Sequence, residues 1–76
     1  MIWVESVEYA IRRLTSRTGN SVFTRQELID SELERIVSEV GSTGETPQQT
    51  LSRVLQELRT QGIIDFESPG VYRLVH

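Results

Sequence analysis

The sequence predicts an α+β domain of three helices and a small antiparallel sheet, ending in a β-hairpin. Three observations carry this. Apolar residues recur at three- and four-residue spacing in three separate segments, as buried helix faces require. Two of those segments open on a threonine followed three residues later by Glu or Gln, the pattern of a helix start. Near the end, "ESPGVYRL" puts a proline-glycine pair between two runs rich in β-branched and aromatic residues, the pattern of a tight turn between strands.

Val4, Val7, Ile11 and Leu14 make one apolar face of a first helix. Arg12, Arg13 and Arg17 load its last turns, where positive charge suits the negative end of the helix dipole. Gly19-Asn20 breaks it. Val22-Phe23 is too short to stand alone, but it offers a third strand to pair with the terminal hairpin, and a hairpin alone is barely stable in water. Thr24-Arg25-Gln26-Glu27 fits a capping box opening a second helix, with Leu28, Ile29, Leu33, Ile36, Val37 and Val40 on its inner side. Glu32, Glu34 and Glu39 read as a solvated face, and Gly41 to Glu45 as a flexible connector.

Thr46 with Gln49 fits a second capping box, and Pro47 takes the first helical position, where its missing N–H costs nothing. Leu51, Val54, Leu55 and Leu58 form the buried stripe, and Gly62 supplies the left-handed residue that ends the helix. Ile63 to Phe66 is a strand, Ser68-Pro69-Gly70-Val71 a type II turn, and Val71 to Val75 the returning strand. Trp3 and Tyr72 read as core aromatics. Helix, short strand, helix, helix and hairpin is the order of a winged helix-turn-helix, in a single domain over residues 1–76.

Size and charge narrow the function. A chain of 76 residues buries roughly 60% of the surface its unfolded form exposes, too little to enclose a large active site. It has no cysteine, one histidine (His76, to which no role is assigned) and no lysine, so cysteine-ligated or histidine-based metal sites, nucleophile-base pairs and carboxylate-lysine nuclease motifs find no residues here. The expectation is a non-catalytic, cofactor-free module in the cytoplasm, with no membrane segment and no dimerisation extension, hence a monomer. Eight arginines against eleven acids give a net charge of −3, which taken whole argues against a polyanion partner. The acid is concentrated between residues 21 and 40, however, where five carboxylates meet two arginines, leaving other faces able to meet phosphate.

At 100° per residue, Gln49, Arg53, Gln56 and Thr60 lie opposite the buried stripe of the third helix. Ser52 flanks them, and Thr46, Gln48 and Thr50 crowd the first turn. In helix-turn-helix proteins the second helix of the pair enters the major groove. Glutamine pairs bidentately with adenine and arginine with guanine, and the first-turn amides with Thr46 suit a phosphate. Arg25, beside the start of the second helix, and Arg73, on the wing, are candidate phosphate contacts.

"FTRQELI" at 23–29 and "TPQQTLSRVLQELRTQGIIDFESPGVYRL" at 46–74 resemble the winged-helix DNA-binding domain of methylation-dependent restriction endonucleases. That family includes the Dam-replacing group and enzymes that cut GATC when its adenine is methylated. The shared pattern is Leu55-Gln56, Leu58-Arg59 and Gly62, then Phe66, Gly70, Tyr72, Arg73 and Leu74, and the likeness covers about 50 of the 76 residues. It implies binding of double-stranded DNA, adenine-methylated in the best-known case, by a domain that follows a nuclease domain. It also implies Gln48, Gln49, Ser52, Arg53 and Gln56 as readers. A methyl on adenine N6 is an apolar bump in the major groove, and a reader of it needs a small apolar niche, which Thr50, Pro47 or a glutamine stem could line. Two other readings are open: a stand-alone transcriptional regulator, and a protein-interaction winged helix whose acidic second helix meets a basic partner.

Overall fold

The terminal hairpin finds its third strand, and the sheet it completes closes one side of a three-helix cluster. The computed structural model describes residues 2–41 and 46–75; the connector 42–45 and His76 lie outside the described residues. The elements are α1 (Trp3–Thr18), β1 (Val22–Thr24), α2 (Arg25–Val40), α3 (Pro47–Thr60), β2 (Ile64–Ser68) and β3 (Val71–Leu74). The sheet is antiparallel in the order β1-β3-β2, so the last strand sits in the middle. This is the winged-helix arrangement: three helices, a small three-stranded sheet and a C-terminal hairpin. Among the described residues no helix is long and apolar enough to cross a membrane.

The core forms where the three apolar stripes meet. α1 contributes Val7, Ala10, Ile11 and Leu14, α2 Leu28 and Ile36, and α3 Leu51, Val54, Leu55 and Leu58. Phe23, Ile64 and Tyr72 close it from the sheet, while Trp3, Val4, Ile29, Leu33 and Val40 pack around its edge. Direct cross-strand partners point to the same side of a sheet. Phe23, Tyr72 and Phe66 are such partners, giving a row of rings with Phe23 stacked on Tyr72 at 5.8 Å and Phe66 edge-on to it at 6.1 Å.

The helix ends explain much of the geometry. At the end of α3 the amide of Gly62 donates to the Arg59 carbonyl and that of Ile63 to the Leu58 carbonyl, both at 3.0 Å. This paired closure needs a left-handed residue, and Gly62 supplies it at φ +79°. Gly70 does the same for the wing turn at φ +77°, as the third position of a type II turn demands.

The two expected capping boxes part company. Thr24 and Glu27 form theirs in full: the Glu27 amide donates to Thr24 Oγ1 at 3.0 Å, and the Thr24 amide to Glu27 Oε1 at 2.9 Å. Thr46 makes no side-chain cap. There the Gln49 amide donates to the Thr46 carbonyl at 3.1 Å and the Thr50 amide to the same oxygen at 3.2 Å, so the hydroxyl has no orphan amide to satisfy. Thr24→Ala should therefore cost about 1 kcal/mol, lowering the melting temperature by roughly 4–8 °C. Thr46→Ala should cost a few tenths at most, and equal losses in paired thermal melts would contradict the distinction.

The acidic face of α2 also needs correction. Glu34 is exposed, but Glu32 is only 4% exposed and lies between Leu28 and Ile36 on the buried stripe. Arg13 grips its Oε1 with Nε and a terminal nitrogen at 3.0 and 2.8 Å, and Arg17 approaches Oε2 at 3.4 Å. Glu39 is drawn in too, accepting from the buried Ser6 hydroxyl at 2.9 Å and pairing with Arg35. The Ser6 hydrogen bond holds the Glu39 carboxyl below the usual glutamate range against the opposing effect of burial, with Arg35 and Arg13 adding to the lowering.

Candidate nucleic-acid interface

Four leucine and valine positions fix how α3 lies, and hence what it shows. With Leu51, Val54, Leu55 and Leu58 buried, the opposite side carries Gln49, Arg53, Gln56 and Thr60, all exposed. Gln48 and Thr46 are exposed at its N-terminal end, and Ser52 is half-buried on its flank. The first turn of α3 holds no acidic residue, so the positive end of its dipole is not neutralised from within the helix.

Thr50 does not belong to this face. It is only 4% exposed, because it stands four residues before Val54 and so lies on the stripe that packs inward. Any niche for a methyl group must be built from Pro47 and the glutamine stems without it.

Arg25 sits where three elements converge. Its backbone amide donates to the Gly70 carbonyl in the wing turn at 2.9 Å. Its guanidinium donates to Ser52 Oγ at 2.9 Å and to the Gln48 carbonyl at 3.1 Å, while Ser52 Oγ donates to that same carbonyl at 3.2 Å. The start of α2, the first turns of α3 and the wing tip are thus tied together through one residue. Ser52, expected to read bases, is instead engaged in holding Arg25.

Arg73 is placed otherwise than its position on the wing suggested. Side chains alternate across a strand, and its neighbour Tyr72 faces the core, so Arg73 lies on the far side of the sheet from the helices. There it pairs with Glu67 at 2.9 Å. A different arginine, on α3 itself, faces the wing. The Arg59 guanidinium lies 5.0 Å from the centre of the Phe66 ring, on the side of the sheet that faces α3. Neither residue stood out as a candidate, although a phenylalanine on a hairpin edge strand was a signal that something from a helix must cover it.

The arginines divide by partner. Arg12 pairs with Glu8 at 3.0 Å, Arg13 and Arg17 with Glu32, Arg35 with Glu39, and Arg73 with Glu67. Arg25 and Arg59 pair with no carboxylate among the described residues. A shallow depression of about 440 Å³ lies elsewhere, between Arg12, Thr15, Asn20 and Leu74, and α3 contributes nothing to it. Searches against family models, curated proteins and solved structures find no match to the chain.

Proposed function

We propose that the chain is a double-stranded DNA-binding module that reads the major groove with the exposed side of α3. In this reading it is the sequence- or methylation-specificity domain of a restriction endonuclease. It contributes binding rather than chemistry, acts as a monomer in the cytoplasm, and relies on a fused or separate nuclease domain to cut. The observation that carries the proposal is the shared exposure of Gln49, Arg53 and Gln56 on one side of α3, beside a wing and opposite a buried stripe. These are side-chain types that pair with adenine and guanine edges. The resemblance through residues 46–74 supplies the restriction-enzyme context and the interest in methylated adenine.

The rival protein-interaction reading, in which an acidic α2 meets a basic partner, keeps Asp30 and Glu34 as exposed carboxylates. Glu32 and Glu39 are occupied by arginines of the chain itself. The test is a fluorescence titration at low salt with duplexes containing GATC, methylated and unmethylated on adenine. Tighter binding of the methylated duplex supports the whole reading. Equal affinities would remove methylation sensing and leave DNA binding. No complex with any duplex would remove DNA binding itself.

A further inference from the structure

We infer that Arg25 and Arg59 form a phosphate track along the wing side of α3, with the Phe66 ring as the platform that holds Arg59 in place. This rests on the DNA-binding reading and identifies which part of the duplex meets that flank: the sugar-phosphate backbone beside the groove that α3 enters.

Charge is the first argument. The chain is acidic overall, and Arg12, Arg13, Arg17, Arg35 and Arg73 are each matched to a carboxylate. The arginines left without one at positions 25 and 59 are both on the same flank of α3. Arg25 is anchored at Gln48 and Ser52, and Arg59 stands seven residues beyond Ser52. Seven residues are two helical turns, so the anchors share one side of the helix about 10 Å apart. The acids of β2 do not intrude: Asp65 is the cross-strand partner of Arg73, on the far side of the sheet, and Glu67 pairs with Arg73 there.

Preorganisation is the second argument. A guanidinium over an aromatic face is held by the ring while its in-plane N–H donors remain available at the edge. The Arg59 guanidinium has no hydrogen-bond acceptor among the described residues, and Phe66 is 42% exposed, so its ring is open on the surface beside that guanidinium. Arg25 is held by Ser52 and the Gln48 carbonyl in a similar way. Both cations are therefore restrained before a polyanion arrives, which lowers the ordering cost of binding.

The experiment measures the salt dependence of affinity for a fluorescent mixed-sequence duplex between about 50 and 200 mM salt, where each phosphate contact contributes a slope of roughly −0.9. Arg59→Gln and Arg25→Gln should each make the slope shallower by about that amount, and Arg59→Lys should restore it. Arg73→Gln should leave it unchanged. Phe66→Leu keeps the charge but removes the platform, so affinity should drop several-fold at an unchanged slope. A wild-type slope retained by folded Arg59→Gln would overturn the track while the DNA-binding reading stands. If Arg59→Gln fails to fold, Phe66→Leu and Arg59→Lys decide, and wild-type affinity in Phe66→Leu overturns the platform. A wild-type chain that binds no duplex overturns the reading and the track together.

Discussion

Replacing Arg13 with alanine is expected to destabilise the fold by about 3 kcal/mol, the lower end of what breaking a buried ion pair costs. Glu32 is the group that decides this. It is almost fully buried between two core positions of α2, and Arg13 makes its two shortest contacts, both to one carboxylate oxygen. Without Arg13, a charged carboxylate stays in the interface with only Arg17 as an ion-pair partner, 3.4 Å away and itself 55% exposed. Glu32→Gln should cost less, roughly 1–2 kcal/mol, because it removes the buried charge while both arginine heads can turn to water. A domain of 76 residues has between about 4 and 11 kcal/mol in total, so the larger loss should appear as a melting temperature lower by at least 12 °C or so. Urea melts give the same comparison. A cost below about 1 kcal/mol for Arg13→Ala would mean that the pair behaves as an exposed one. Replacing both partners with apolar residues of similar volume should recover most of the loss.

This ion pair also marks where the sequence ceased to be legible. Leu28, Glu32 and Ile36 are spaced four apart, so periodicity alone puts the carboxylate on the buried stripe. Its charge suggests a solvated face instead, and only the docking of α1, with Arg13 and Arg17 one turn apart, reverses that. Local signals fared better. The Thr24 box, the Gly62 closure and the Ser68–Val71 turn depend on a few neighbouring residues, and all are formed. Thr46 shows the limit of such patterns. It has the same spacing as Thr24, yet its own carbonyl takes the Gln49 amide that the hydroxyl was expected to satisfy.

The candidate interface was legible in proportion to its helical periodicity. Gln49, Arg53 and Gln56 follow from the leucine stripe, and they are exposed together. Thr50 sits at the margin of the stripe, where a small rotation of the helix decides its side. Arg73 and Arg59 depend on how the hairpin lies against α3, and neither is fixed by local sequence. Arg73 became a sheet-face partner of Glu67, and Arg59 became a neighbour of Phe66.

Substituting the stripe itself should produce the largest change in binding, and the pattern of losses matters more than their size. Gln49→Ala and Gln56→Ala should each lower affinity for the preferred duplex by about 1–3 kcal/mol, which is roughly 5- to 150-fold. Affinity for unrelated duplexes should hardly move, because glutamine carries no charge and adds nothing to counterion release. Arg53→Ala should do both: lose discrimination at one base pair and flatten the salt dependence by about one phosphate-equivalent if it also touches the backbone. Thr50→Ser keeps the buried hydroxyl and should leave the affinity for every duplex at the wild-type value. Measured on one panel of duplexes, these variants separate base reading from mere attraction to DNA. Glutamine variants that weaken all duplexes equally would mean that the stripe faces the backbone, and that α3 does not enter the groove with this side first.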